Sequence, residues 1–162
     1  MNNEVASLMK NFGSLSPFGR KAFFIYIEKC SALWYNKIKK GGATMKENLL
    51  IDKSIAFASR IIKLHQYLIK TKKETIISKQ IVRSGTSIGA NINEANYGQS
   101  KADFISKMHI ALKETAETEY WLKLLIMSEY ITEDMGKSLL EDCLEIKRIL
   151  VASINTAKEN KQ

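Results

Sequence analysis

The sequence carries a single proline, Pro17, in 162 residues. An average chain of that length has roughly eight. Glycine is also sparse, at 8 residues. Sandwiches and barrels need turn residues about every ten positions. Their scarcity excludes an all-β fold and leaves long helices as the economical reading. No apolar run approaches the ~18 residues that a membrane span requires. The stretch from Ala22 to Ile27 is apolar, but Glu28 and Lys29 end it. Met1 to Lys10 include Asn2, Asn3 and Glu4 and lead into no signal-peptide core. The two cysteines, Cys30 and Cys143, have neither metal-type spacing nor a disulfide framework. They read as reduced thiols of a cytoplasmic protein.

Catalytic residue types are equally thin. The two histidines are His65 and His109, and neither follows a glutamate by three residues. The paired Glu-x-x-His motifs of a di-iron bundle are therefore missing. Gly85 to Gly89 are not followed by lysine, so no phosphate-binding Walker loop exists there. No Ser/His/Asp or Cys/His signature appears. The sequence points to a non-enzyme without cofactor or metal.

What is present is apolar surface and positive charge. Hydrophobic residues make up 45% of the chain, enough for one core, and the length suits one domain. Lys and Arg number 25 against 17 acids, a net charge of +8. That balance favours an anionic partner. The charge is uneven: residues 1–44 and 45–98 are each +5, and residues 99–162 are −2.

Hydrophobic periodicity predicts four helices between residues 48 and 160. The first runs from about Asn48 to Thr71, with Ile51, Ile55, Ala58, Ile62, His65 and Ile69 inward. The second starts near Thr75 and buries Ile77, Ile81, Ser84, Ile88, Asn91 or Ile92, and Ala95. Gly98 closes it, in a position suited to a left-handed residue. The third opens at Ser100 with Asp103 as capping-box partner. Its row is Phe104, Met108, Ala111, Thr115, Thr118, Leu122 and Leu125. The fourth starts near Thr132 and buries Leu139, Cys143, Ile146, Leu150, Ile154 and Ala157. Short connections make neighbours antiparallel. The expected fold is an all-α, up-down-up-down four-helix bundle over residues 45–162.

The run Ser84-Gly85-Thr86-Ser87-Ile88-Gly89-Ala90 breaks the rule that helix interiors avoid glycine. Each such glycine costs about 1 kcal/mol against alanine. Close approach by a neighbouring helix would offset that cost. Residues 1–44 form a separate extension. Ser16-Pro17 is a good helix start. A helix from Pro17 to Lys39 would place Phe23, Ile27, Cys30 and Trp34 on one face, before Gly41-Gly42 breaks it.

Residues 45–162 resemble the four-helix-bundle family encoded in intervening sequences of bacterial 23S rRNA genes. The resemblance rests on three segments: Gln80 to Ala95 (QIVRSGTSIGANINEA), Ser100 to Phe104 (SKADF), and Ile110 to Thr118 (IALKETAET) with Tyr120-Trp121-Leu122 after it. Asn93 departs from the family's common alanine. The resemblance implies a small cytoplasmic helical protein assembling into a ring, a pentamer. A sister group is the accessory variability determinant of diversity-generating retroelements, which binds nucleic acid and a reverse transcriptase. Family members usually begin near Met45. The codons of Gly41 to Thr44 can encode a ribosome-binding site, which would make Met45 the start. Thr44 and Glu47 also read as a capping box, which instead favours a continuous helical join.

Two groups of side chains are candidates for function. Lys53, Arg60, Lys63 and Lys70 fall within about one third of the first bundle helix's circumference. Lys72, Lys73 and Lys79 continue them across the turn. This stripe suits the phosphate backbone of RNA or DNA. Arg83, Ser87, Asn91 and Glu94 share a face of the second helix, with Glu114 and Glu117 on the next. These read as a structural polar network or subunit contact, with Arg83 in a buried pair with Glu114 or Glu117. The alternative to nucleic-acid binding is a protein–protein adaptor, for example a reverse-transcriptase accessory subunit.

Overall fold

The computed structural model describes residues 49–159. The 1–44 extension, its expected helix, Cys30 and the region around Met45 lie outside the described residues. Four helices account for almost all of the described chain: α1 (Leu49–Tyr67), α2 (Ile77–Ala95), α3 (Lys101–Met127) and α4 (Glu133–Glu159). A single π-helical turn, Leu68–Lys72, extends α1. Among the described residues there is no strand.

Local chemistry sets the ends. Ser100 Oγ accepts from Asp103 N–H at 3.1 Å and caps α3, while the Asp103 carboxylate reaches past Ser100 to accept from Gln99 N–H at 3.2 Å, one residue beyond the expected capping-box partner. Thr132 Oγ1 accepts from Met135 N–H at the start of α4. Lys73 closes the π-turn in the left-handed conformation (φ 56°), with its N–H on Leu68 O. Glu129 takes the same conformation after α3. Gly98 does not. Its glycine requirement is one of space, because a Cβ there would stand 3.1 Å from Ala95 O and 3.2 Å from Phe104 N. The left-handed residues are thus a lysine and a glutamate, and the expectation for Gly98 is corrected.

Neighbouring helices run in opposite senses. Ser78 and Gly89 of α2 meet His65 and Ser54 of α1. Arg83 and Glu94 of α2 meet Glu117 and Lys107 of α3. Lys147 of α4 reaches Glu119 of α3, and Glu145 reaches Lys53 of α1. Each helix contributes one row to a shared core. The rows of α2, α3 and α4 are those the periodicity predicts, with Ile81, Ile88, Leu122, Leu125, Leu139 and Leu150 wholly buried. Burying each such side chain stabilises the fold by about 1.5–3 kcal/mol.

The α1 row is different. Leu50, Ser54, Phe57, Ile61, Leu64 and Leu68 face the core. The expected row lies one residue, or 100°, away, and its Ile55 and Ile62 are 55% and 42% exposed. The small-residue run of α2 decides between them. A Cβ on Gly85 would stand 2.8 Å from Ile61 Cγ2, and one on Gly89 3.2 Å from Ser54 Oγ. Serine at 54 is small enough for that approach, and its hydroxyl is satisfied by Ile51 O at 2.7 Å. The glycines of α2 therefore admit α1 of the same chain.

Candidate nucleic-acid interface

The basic stripe divides into two parts. Lys53 Nζ lies 2.8 Å from Glu145 Oε2. Arg60 pairs with Asp142 and donates to Ser138 O at 3.3 Å and Ser138 Oγ at 2.8 Å. Its side chain is only 15% exposed. These two cations hold α1 against α4, so their charge is offset within the bundle. Lys63 is half-buried. Lys70, Lys72, Lys73 and Lys79 are exposed and gather around the α1–α2 connection. Lys72 Nζ reaches the Glu129 carbonyl at 3.5 Å. No carboxylate among the described residues is ion-paired to any of these four.

The reason is Glu74, the acid in their midst, which sequence reasoning missed. Its carboxylate turns inward and caps α2. It accepts from the N–H groups of Ile76 (2.8 Å), Ile77 (2.9 Å) and Ser78 (2.7 Å). The helix dipole adds to the attraction. Burial pushes the Glu74 carboxyl up, but the backbone donors Ile77, Ser78 and Ile76 together with the Ser78 side chain outweigh it, so its pKa lies below the usual 4.5. The Glu74 carboxylate is thus held by backbone donors and is not ion-paired to any of the surrounding lysines. A lone acid three residues before an apolar-periodic run was the available signal.

The second group lies along the α2–α3 seam. Arg83 Nη2 bonds Glu117 Oε1 at 2.9 Å, and Trp121 Nε1 donates to the same oxygen at 3.1 Å. The Arg83 side chain is 60% exposed, so the pair is at the surface and not buried. Asn91 Nδ2 donates to Ser87 O within α2, and Glu94 meets Lys107 at 2.6 Å. Glu114 is the odd member. Its Oε2 is buried without a hydrogen-bond partner. Burial first, then the charge of Glu117, pushes its carboxyl above the usual 4.5, while Arg83 pulls the other way. At the centre of the seam the hydroxyls of Ser84 and Thr118 touch at 2.9 Å. Of this face, Arg83 and Glu94 reach side chains of α3, whereas Asn91 bonds within α2.

Other reactive groups are occupied structurally. His65 Nδ1 lies 2.9 Å from Ser78 O. Cys143 contacts Thr115 O, and burial pushes its thiol up to about 12. Among the described residues no cluster of His, Cys, Asp and Glu has metal-binding geometry. None of their helices is long and apolar enough to cross a membrane.

Comparison with known proteins agrees with this architecture. No curated protein matches the sequence. A solved structure from Bacteroides thetaiotaomicron, described as a protein with unknown function from the S23 ribosomal protein family, is 55% identical with a TM-score of 0.65. The match covers 65% of this chain and 98% of that one. The family model for the 23S rRNA-intervening sequence protein matches residues 46–152. The chain belongs to the 23S rRNA-intervening sequence protein family.

Proposed function

We propose that this protein is a non-enzymatic, cytoplasmic homo-oligomer, a pentameric ring, that binds nucleic acid through the basic end of its bundle. The observation that carries the reading is the group Lys70, Lys72, Lys73 and Lys79, none of which is ion-paired to a carboxylate among the described residues, with Glu74 in their midst bound to backbone N–H groups. Lys63 lies on the same outward side of α1 and extends the group. Lys53 and Arg60 serve the α1–α4 contact instead. Ammonium groups on a solvent-facing turn suit phosphates, which they contact without reading sequence. A ring repeats the cluster once per subunit, and each neutralised phosphate releases counterions.

Filter binding with structured RNA and duplex DNA at two salt concentrations tests this. Binding is expected to weaken steeply with salt. A variant with glutamine at 70, 72, 73 and 79 is expected to lower the slope of log K against log salt by about one per lost contact. Binding that ignores salt, or none below about 10 µM protein, overturns the reading.

A second reading, a protein–protein adaptor such as a reverse-transcriptase accessory subunit, is favoured by one observation. Ile76 and Met127, at the same end of the bundle, are 76% and 81% exposed. Apolar side chains among lysines offer a protein partner surface to bury, with charge steering the encounter.

A further inference from the structure

The row expected to be the core face of α1 reaches the surface at Ile55 and Ile62, while Ile51, Ala58, His65 and Ile69 are half-buried. Ile55 and Ile62 stand seven residues apart on it, the spacing of a coiled-coil seam. On α2, Val82, Thr86, Ala90 and Asn93 continue the same outer side, because they lie one step outward from Gly85 and Gly89, which face α1. None of the six, Ile55 and Ile62 with these four, is charged, in a chain that is 26% charged, and Lys79, seven residues before Thr86 on the same side, bounds the patch at one end. Depletion of charge at the centre of a surface marks protein interfaces. From Ile51 to Ile69 the seam is roughly 27 Å long. Two helices side by side about 10 Å apart make it roughly 20 Å wide. The face is then about 500 Å², most of the ~800 Å² each partner gives to a standard interface.

A second apolar row lies on the opposite side of the bundle. α1 packs on α2 and α4, and α3 packs on the same two, so the α1–α2 and α3–α4 faces point apart. Leu144 and Val151, again seven apart, are 36% and 41% exposed and bracket Lys147, which reaches across to Glu119 of α3. Tyr120, beside Glu119, is 58% exposed. Two unlike apolar faces on opposite sides cannot both be covered by one two-fold contact. Head-to-tail docking covers both, and such a contact gives a ring when its rotation closes.

We infer that the α1–α2 face of one subunit, centred on Ile55 and Ile62, docks on the α3–α4 face of the next, centred on Leu144 and Val151. The inference rests on the oligomeric reading above and names its interface. The test is light scattering on the full chain, with circular dichroism to confirm helix content. Ile62→Lys and Val151→Lys are each expected to reduce the oligomer to monomer mass with helicity retained. In a Cys30→Ser background, Ile62→Cys chains mixed with Val151→Cys chains and a short bis-maleimide are expected to give the mixed dimer, and neither alone to cross-link. Ile62→Cys chains that link to each other overturn the inference, as does absence of the mixed product. An oligomer indifferent to both lysine variants overturns the inference and leaves the oligomeric reading standing. A monomeric wild-type protein overturns both.

Discussion

Gly85 of α2 lies so close to Ile61 of α1 that a methyl group added to it would stand 2.8 Å from Ile61 Cγ2. Ile61 is wholly buried and β-branched, so it has little freedom to retreat. Alanine at 85 gains about 1 kcal/mol of helix propensity. Overpacking a tight core costs about 1–3 kcal/mol. The clash wins, and Gly85→Ala is expected to lower stability by about 1 kcal/mol in urea denaturation. Gly89→Ala meets only Ser54 Oγ at 3.2 Å, and a small shift of that hydroxyl relieves it. Gly89→Ala is expected to be neutral or stabilising by up to about 1 kcal/mol. Equal effects at the two sites would refute this account of the small-residue run.

Arg83 has a smaller role than its place in the motif suggests. Its bond to Glu117 is solvent-exposed, and exposed pairs contribute about 0.2–1 kcal/mol. Arg83→Ala is expected to keep the fold, with a stability loss below about 1 kcal/mol. Thr118→Val, which removes the buried hydroxyl 2.9 Å from Ser84 Oγ and leaves Ser84 only Ile81 O at 3.4 Å, is expected to lose more, about 1–1.5 kcal/mol, the net worth of one buried hydrogen bond. Chemical denaturation of the two variants ranks them.

Glu74 ties the lysine cluster to the start of α2. Its pKa is lowered in the fold, so the stability it adds is present above about 4.5 and is lost as pH falls through the folded value. Glu74→Ala removes a cap with three backbone bonds and is expected to cost about 2 kcal/mol at pH 7. Glu74→Gln keeps an acceptor and is expected to cost less. Both variants are expected to lose less stability than wild type between pH 5 and acid, about 5 being where the wild-type loss begins. A pH profile parallel to wild type in that range would show that the carboxylate charge is not what holds the cap.

The core of α2, α3 and α4 is legible in the sequence because each carries one dominant apolar row. α1 carries two adjacent rows, and the one holding Ser54 looks the weaker. Only the approach of Gly89 explains why serine belongs inside. The basic stripe was visible as composition, but its division was not. Asp142 and Glu145 lie 82 and 92 residues from their partners Arg60 and Lys53, a distance no local pattern spans. The excess of acids after residue 99 was the one trace of that pairing. The Arg83 face was legible as a row, whereas its exposure depends on where α3 lies, which spacing alone leaves open.

Glu114 bends stability the other way from Glu74. Its Oε2 is buried and unpartnered, and burial together with Glu117 raises its pKa above 4.5. A raised acid adds stability that is fully present below 4.5 and is lost as pH rises through the folded value. At pH 7 the ionised carboxylate is therefore a liability in the folded state. Glu114→Gln is isosteric, removes the charge and leaves Arg83 to pair with Glu117 alone. It is expected to stabilise the protein at pH 7, because it removes a charge that burial and Glu117 disfavour while leaving a polar atom in the same place. At pH 4, where the wild-type group is protonated in the fold, the gain is expected to vanish. Thermal melts of wild type, Glu114→Gln and Glu74→Gln across that range separate the two acids, because their variants change the slope in opposite directions. A Glu114→Gln protein destabilised at pH 7 would mean that the buried oxygen has a donor, and that the α2–α3 seam is held by it.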